Sequence, residues 1–366
     1  MLLQTLSTGD ELHHYEKTLL VHFTGPRKVL STSLYNGGYK ENLTGIYNYD
    51  CKLGAGMGCE VLAQSYREHM ALVSCRLGLK PEAVTGVSTA ADMENVAIIG
   101  EQFKELQVTA IVTGGIETNG GRAGDPADYY RPIEKPDLHG TINIMLIIDC
   151  DMPESTLVRA LVTCTEAKTA ALQELMGDSR YSSGLATGSG TDQTIIVANP
   201  TRQLYLEGAG KHAKMGELIG KAVKAAVKEA LAKQSNLTPQ RQHHVLRRWR
   251  RYGITQQLLW EEYRGRGPLN KAQFVDLVDS LGSSQELLPL TSLYIHILDQ
   301  LSWQLISGRE ALIACEQLLN ALAGVYNLEP VQPKGTEEQA LIKGWQEFFL
   351  ELLVQRSCTY GKEADK

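Results

Sequence analysis

Residues 141–149, TINIMLIID, constrain the fold of this chain more than any other segment. The run is almost wholly apolar, yet far shorter than the roughly 18 residues of a membrane span. A short run of this kind fits a central strand buried on both faces. Such a strand needs other elements above and below it.

The flanking sequence supplies candidates for that cover. Residues 18–23, 28–33 and 44–49 are β-favouring runs separated by Gly, Pro and Asn turns. Residues 95–103 and 108–114 flank a polar KELQ connection, which predicts a hairpin. Residues 59–77 read as a helix closed by Gly78. Pro153 and Glu154 open a second helix, whose apolar positions Leu157, Leu161, Cys164, Ala167, Ala171 and Leu175 fall three or four apart before Gly177. After a short strand at 193–198, Leu218, Ala222, Val223, Ala226, Val227, Ala230 and Leu231 mark one face of a third. The order predicts an α/β fold of layered sheets covered by helices.

Beyond a linker at 235–239 the pattern changes. Helical periodicity continues to residue 358 with almost no strand signal, and Pro239, Pro268, Pro289 and Pro330 divide it into five or six helices. The chain therefore reads as an α/β domain over 1–234 and an all-α C-terminal domain over 238–358. Its 366 residues are too many for one small core. A net charge of −6 gives no global reason for a nucleic-acid partner. The seven cysteines are scattered and lack CxxC spacing, which argues against a disulfide framework or zinc cluster and for a reducing, cytoplasmic compartment. Residues 1–15 carry acids and histidines where a secretory signal needs an apolar run. No membrane partner is expected, and a homo-oligomer is left open.

Three polar segments lie at predicted strand ends, where loops on a rigid sheet commonly hold catalytic groups. They are 86–95 (GVSTAADMEN), 113–126 (TGGIETNGGRAGDP) and 186–193 (ATGSGTDQ). Glycine there allows close backbone approach and exposes N–H donors. Such donors, with an Asn amide, are what an oxyanion hole needs. Taken singly, each segment also reads as a tight turn with satisfied side chains. GAGMGC at 54–59 looks like a dinucleotide fingerprint, but its third glycine falls one residue early and no clean strand precedes it. No Walker sequence occurs.

These stretches resemble the CbiZ-type adenosylcobinamide amidohydrolases. The resemblance is carried by STAADMENVA (88–97), VTGGIETNGGRAGDPA (112–127), GTINIMLIID (140–149), TEAKTAALQEL (165–175), ATGSGTDQTIIVA (186–198) and KMGELIGKAV (214–223), and runs through about residues 15–232. It implies ATP-independent hydrolysis of the amide joining aminopropanol to the corrin ring. The products would be adenosylcobyric acid and 1-amino-2-propanol, a step of corrinoid salvage. The implied partner is a small-molecule corrinoid, and its cobalt would arrive with the substrate, so no resident cofactor or metal is expected. Asp92, Asn95, Arg122, Asp125, Thr187 and Thr191 are the candidate substrate-binding residues.

A weaker resemblance is to the autoprocessing aminopeptidase and ornithine acetyltransferase group, whose strand opens with a Ser or Thr nucleophile behind an Asn-Gly loop. It implies that Thr141 attacks the substrate carbonyl and that Asn119, before Gly120, donates to the oxyanion. Asp192 or Glu117 would orient groups or assist proton transfer. If the Gly140–Thr141 bond is cut, the new α-amine could serve as base. Thr141 also reads as merely the first β-branched residue of a core strand.

Alternatives remain. Water could be activated by a carboxylate from the pool Asp92, Glu94, Glu117, Asp125 and Asp192. On a helix, Glu166 and Lys168 point to different faces, so at most one reaches the site. Arg122 and Asp125 could brace their loop as an ion pair. His22, His139 and His212 are candidates for a proton shuttle or cobalt contact, although a lone His is more often structural and no HExxH spacing occurs. Arg241 to Arg251 is strongly basic and contains Trp249, but Val245, Leu246, Trp249 and Tyr252 at helical spacing favour a solvated basic face or partner surface over nucleic-acid stacking. A non-catalytic corrinoid-binding protein and a Thr-dependent acyltransferase are the competing functions.

Overall fold

The computed structural model describes residues 1–54, 58–60, 62–127, 130 and 140–360. The chain forms two compact units, Met1–Thr238 and Pro239–Lys366.

In the first unit the strands run β1 (Leu2–Thr5), β2 (Glu11–Tyr15), β3 (Thr18–His22), β4 (Lys28–Ser31), β5 (Gly38–Lys40), β6 (Gly45–Asp50) and β7 (Val84–Thr89). They continue as β8 (Ala97–Phe103), β9 (Leu106–Gly114), β10 (Gly120–Gly121), β11 (Ile142–Ile148), β12 (Gly188–Ser189) and β13 (Gln193–Ala198). Helices α1 (Tyr66–Arg76), α2 (Glu154–Glu174) and α3 (Lys214–Ser235) lie between or after them. One sheet has the order β1-β2-β3-β6-β7, and the other β5-β4-β13-β11-β9-β8.

β11 sits inside the second sheet, parallel to β13 and antiparallel to β9. Side chains on a strand alternate between faces. Ile142, Ile144, Leu146 and Ile148 enter a core with Leu157, Ala160, Cys164, Leu218, Ala222 and Val223 of α2 and α3. Met145 and Ile147 enter another core with Leu12, Leu19, Val21, Ile46 and Val87 of the first sheet. On that same face Asn143 is polar, and it donates to Asn48 Oδ1 (2.9 Å) and the Ser88 carbonyl (3.0 Å). Beyond the first sheet, Tyr47 and Val84 pack with Met70 and Val73 of α1. The layers run helix, sheet, sheet, helices. Both faces of β11 are covered, which is why its sequence shows no alternation of polar and apolar residues.

Three local expectations change. The helix expected from residue 59 begins at Tyr66, capped by Ser65 Oγ accepting from Glu68 N (3.2 Å). Upstream, Cys59 is held in an antiparallel bridge to Lys52 and is disulfide-linked to Cys51, with Cα atoms 4.8 Å apart. The scattered spacing argued against a disulfide framework; this link spans eight residues and is not a framework. Residues 86–89 belong to β7 rather than to a loop. The predicted 95–103/108–114 hairpin is β8 and β9, paired through Phe103 and Leu106, with Lys104 at φ 52° in the turn.

The second unit is helical: α4 (Pro239–Gln242), α5 (Val245–Trp249), α6 (Gln256–Tyr263), α7 (Lys271–Gly282), α8 (Leu287–Ser302), α9 (Gly308–Tyr326) and α10 (Glu338–Ser357). Pro289 does not divide helices but lies in the first turn of α8, where its missing N–H costs no helical bond. Trp249, Tyr294, Trp345, Phe348 and Phe349 form its buried aromatic centre. Arg251 reaches Asp299 with two guanidinium nitrogens, each at 2.6 Å. Among the described residues no helix is long and apolar enough to cross a membrane.

Candidate active site

Strand register brings three loops together. Ile142 pairs with Gly114 and Asn143 with Gln193, so the end of β9 and the starts of β11 and β13 lie side by side. The loops after β9 and before β13 are then stitched by β10 and β12, with Gly120 opposite Ser189 and Gly121 opposite Gly188. Two of the three polar segments thus become one structure.

At its centre is the carbonyl of Gly140. It accepts from Asn119 Nδ2 and from Thr191 Oγ1, the latter at 2.8 Å. Gly140 has φ 131°, and a Cβ there would lie 2.4 Å from Asn119 Oδ1, so this position needs glycine. Asn119 is 2% exposed, and its Oδ1 has no hydrogen-bond partner among the described residues.

Thr141, next in the chain, is buried, and its hydroxyl donates to the Thr191 carbonyl at 2.7 Å. Asp192 is a hub. It accepts from Ile142 N (2.8 Å), Ser189 N (3.0 Å), Ser189 Oγ (2.6 Å) and the Lys168 ammonium. Behind Thr141, a buried chain of amides and hydroxyls runs from Asn143 through Asn48, whose Nδ2 donates to Thr113 Oγ1 at 2.8 Å.

A cavity of about 810 Å³ is lined by Asn119, Lys168, Ser189 and Thr191 of these groups, while Thr141 and Asp192 lie outside its lining. Of the predicted residues, Asn119, Arg122, Asp125, Thr187 and Thr191 line it. Thr187 Oγ1 accepts from Ala123 N at 2.9 Å, and Asp125 accepts from Arg122 N at 2.7 Å and from Ser179 Oγ. The Arg122–Asp125 contact therefore runs through backbone, while the guanidinium donates to the Leu185 carbonyl at 3.3 Å. Burial pulls the Asp125 carboxyl upward, but hydrogen bonds from Ser179, Ser182 and the Arg122 backbone outweigh it and hold the carboxyl below its ordinary range.

Other candidates lie elsewhere. Glu117 is exposed and borders a separate cavity of about 160 Å³ with Gly115 and Gly140. Asp92 and Asn95 are not brought to the larger cavity. Asp92 caps and Asn95 ends a short 3-10 turn, where Asp92 N (3.0 Å) and Asn95 Nδ2 (2.9 Å) both donate to Gln234 Oε1 at the end of α3. Glu94 is exposed, 3.5 Å from His14 Nδ1. His22 and His212 are exposed, and His139 lies outside the described residues. Among the described residues no group of three or more His, Cys, Asp or Glu is placed to hold a metal ion.

Sequence spacing left Glu166 and Lys168 level. In the fold Glu166 pairs with Lys211 at the surface (2.8 Å), while Lys168 joins the cavity wall beside Thr165 and Thr169. That polar trio at i, i+3 and i+4 on an apolar helix was the signal. Tyr181 also lines the cavity and no pattern marked it. In the second unit Trp249 and Val245 are buried, so the basic run presents no exposed tryptophan for base stacking.

The adenosylcobinamide amidohydrolase (CbiZ) family model matches residues 3–239. MJ1613, an uncharacterized protein of Methanocaldococcus jannaschii, is 35% identical over 242 residues, covering 62% of this chain and 91% of that protein. Among solved structures, the PH0078 protein of Pyrococcus horikoshii superposes with a TM-score of 0.32 at 11% identity, over 65% of this chain and 86% of that one. That likeness is too low to bear on fold or site. The family match spans all but the first two residues of the unit that carries Gly140, Thr141 and the cavity: the chain belongs to the CbiZ family of adenosylcobinamide amidohydrolases.

Proposed function

We propose that this chain hydrolyses the aminopropanol amide of adenosylcobinamide without ATP, giving adenosylcobyric acid and 1-amino-2-propanol in corrinoid salvage. The observation that carries this reading is the Gly140 carbonyl, held by Asn119 Nδ2 and Thr191 Oγ1 directly before Thr141. Two donors converging on one carbonyl oxygen next to a hydroxyl are the parts an amide-cleaving site requires. The cavity falls within the usual size of ligand sites, roughly 300–1,000 Å³. It would take the amide-bearing edge of the corrinoid against Thr and backbone donors suited to neutral amides.

In this mechanism Thr141 Oγ attacks the substrate carbonyl. Cleavage of the Gly140–Thr141 bond would free Asn119 and Thr191 to serve the substrate oxyanion, and the new α-amine, with a reference pKa of about 8, would take the hydroxyl proton. Of the carboxylates available to a water mechanism, Asp92, Glu94 and Glu117 do not line the larger cavity, Asp125 is held below its ordinary range by its hydrogen bonds, and Asp192 is occupied by four donors. These facts favour Thr141. The cobalt belongs to the substrate, and no resident cofactor is invoked. Cytoplasmic placement is part of the same proposal.

Purified protein and adenosylcobinamide, mixed without ATP, test it by mass spectrometry. Adenosylcobyric acid and released 1-amino-2-propanol are the expected products. Tight binding with neither product would make this a corrinoid-binding protein instead.

A further inference from the structure

Breaking an amide requires more than a nucleophile, because the departing nitrogen must gain a proton as the C–N bond breaks. Asp125, on the cavity wall, is held below its ordinary range and is ionised near neutral pH, so it carries no proton to give. Arg122 is a cation that cannot release one in a protein. Lys168 differs from both. Its side chain lies on the cavity wall and is only 11% exposed, and its ammonium is held by Asp192 Oδ2.

Asp192 does not need Lys168 for its own satisfaction, since Ile142 N, Ser189 N and Ser189 Oγ already bond it. The carboxylate instead fixes the ammonium on the same anchor that pins the residue after Thr141. Gly188 makes room for the pair: a Cβ there would stand 2.3 Å from Asp192 Oδ2 and 2.7 Å from Lys168 Nζ. Burying an ammonium is costly even when paired. A purely apolar contact from α2 would have stabilised the fold at less cost.

We propose that Lys168 is the general acid of the reaction, an inference that rests on the amide-hydrolysis reading above. When the tetrahedral adduct on Thr141 collapses, the C–N electron pair passes to nitrogen and Lys168 Nζ supplies its proton, so the amine leaves neutral. The acyl group stays on Thr141 Oγ as an ester. Water then adds to that ester; its hydroxyl ends in the carboxylic acid, its proton restores Lys168, and the α-amine returns the first proton to Thr141. One water is consumed for each amide broken.

The test uses the full chain with adenosylcobinamide. Lys168→Met removes the charge, while Lys168→Arg keeps the pair with Asp192 but cannot give up a proton. Both variants are expected to lose kcat by about 10²–10⁴-fold, the usual share of a general acid, with KM little changed and the melting curve of Lys168→Arg preserved. Wild-type kcat in Lys168→Arg, or in folded Lys168→Met, would reduce Lys168 to a structural ion pair and overturn the proposal alone. A wild-type chain that turns nothing over would sink the hydrolysis reading and this inference with it.

Discussion

Asn119, in the loop after β9, and Thr191, in the loop before β13, donate to the same oxygen, the carbonyl of Gly140. Neither donor is near the other in sequence. Their convergence depends on β10 and β12 pairing across the two loops and on Gly140 taking a backbone angle that other residues avoid.

Removing either donor should therefore slow turnover while leaving the fold intact. Asn119→Ala and Thr191→Ala are each expected to lower kcat by about 10²–10³-fold, as for a single oxyanion donor elsewhere. Steady-state assays on adenosylcobinamide check this, and a change confined to KM would assign these residues to binding alone.

Thr141 makes a sharper prediction. Intact-mass measurement of wild type should show two fragments divided between Gly140 and Thr141, and Thr141→Ala should remain whole and inactive. Thr141→Ser, which keeps the hydroxyl, should still be cut. An uncut wild-type chain that turns over as fast as Thr141→Ala would move the chemistry to activated water.

Gly188→Ala probes the Lys168–Asp192 pair without substituting either partner. The added methyl meets the ends of two side chains rather than backbone, so the expected cost in stability is at the low end of overpacking, about 1 kcal/mol. Activity should fall more than stability. Gly220→Ala on α3 is the control: nothing lies within 4 Å of a Cβ there, and the helix should be as stable or gain up to about 1 kcal/mol. Calorimetry together with the turnover assay separates the two effects.

Acid stability follows from two histidines, His69 buried and His244 partly buried. Burial depresses His69 in the first unit and, more than Asp279 opposes, His244 in the second. Each is neutral when folded, so the unfolded chain binds the proton first as pH falls. Stability is then complete above the ordinary histidine value of about 6.5 and declines as pH drops from there toward the lowered folded values. Melting temperatures between pH 7.5 and 5 should fall, and His69→Gln and His244→Gln should flatten the slope. A slope unchanged in both variants would assign the acid sensitivity to other groups.

Much of the architecture was legible in residue order. The two-sided burial of β11 was written in TINIMLIID, because a strand covered on both faces has no polar side to show. The spacing of Leu157, Leu161 and Cys164 marked α2 for the corresponding reason, one apolar stripe facing a core. Helix starts were harder. α1 begins at Tyr66, behind the Ser65 cap, while upstream Cys59 is tied to Lys52 and Cys51, pairings that helical periodicity does not record.

For the site, sequence by itself determined the ingredients: glycine-rich polar loops, an Asn-Gly pair, and a threonine opening the most buried strand. Tertiary structure alone decided which of them meet. Strand register set Thr191 and Asn119 on one carbonyl, sent Asp92 and Asn95 to Gln234, and turned Lys168 inward while Glu166 stayed at the surface. Periodicity reports which face of an element is buried. It carries no information on which distant loop that face will meet, because that partner is chosen by pairing between strands far apart in the chain.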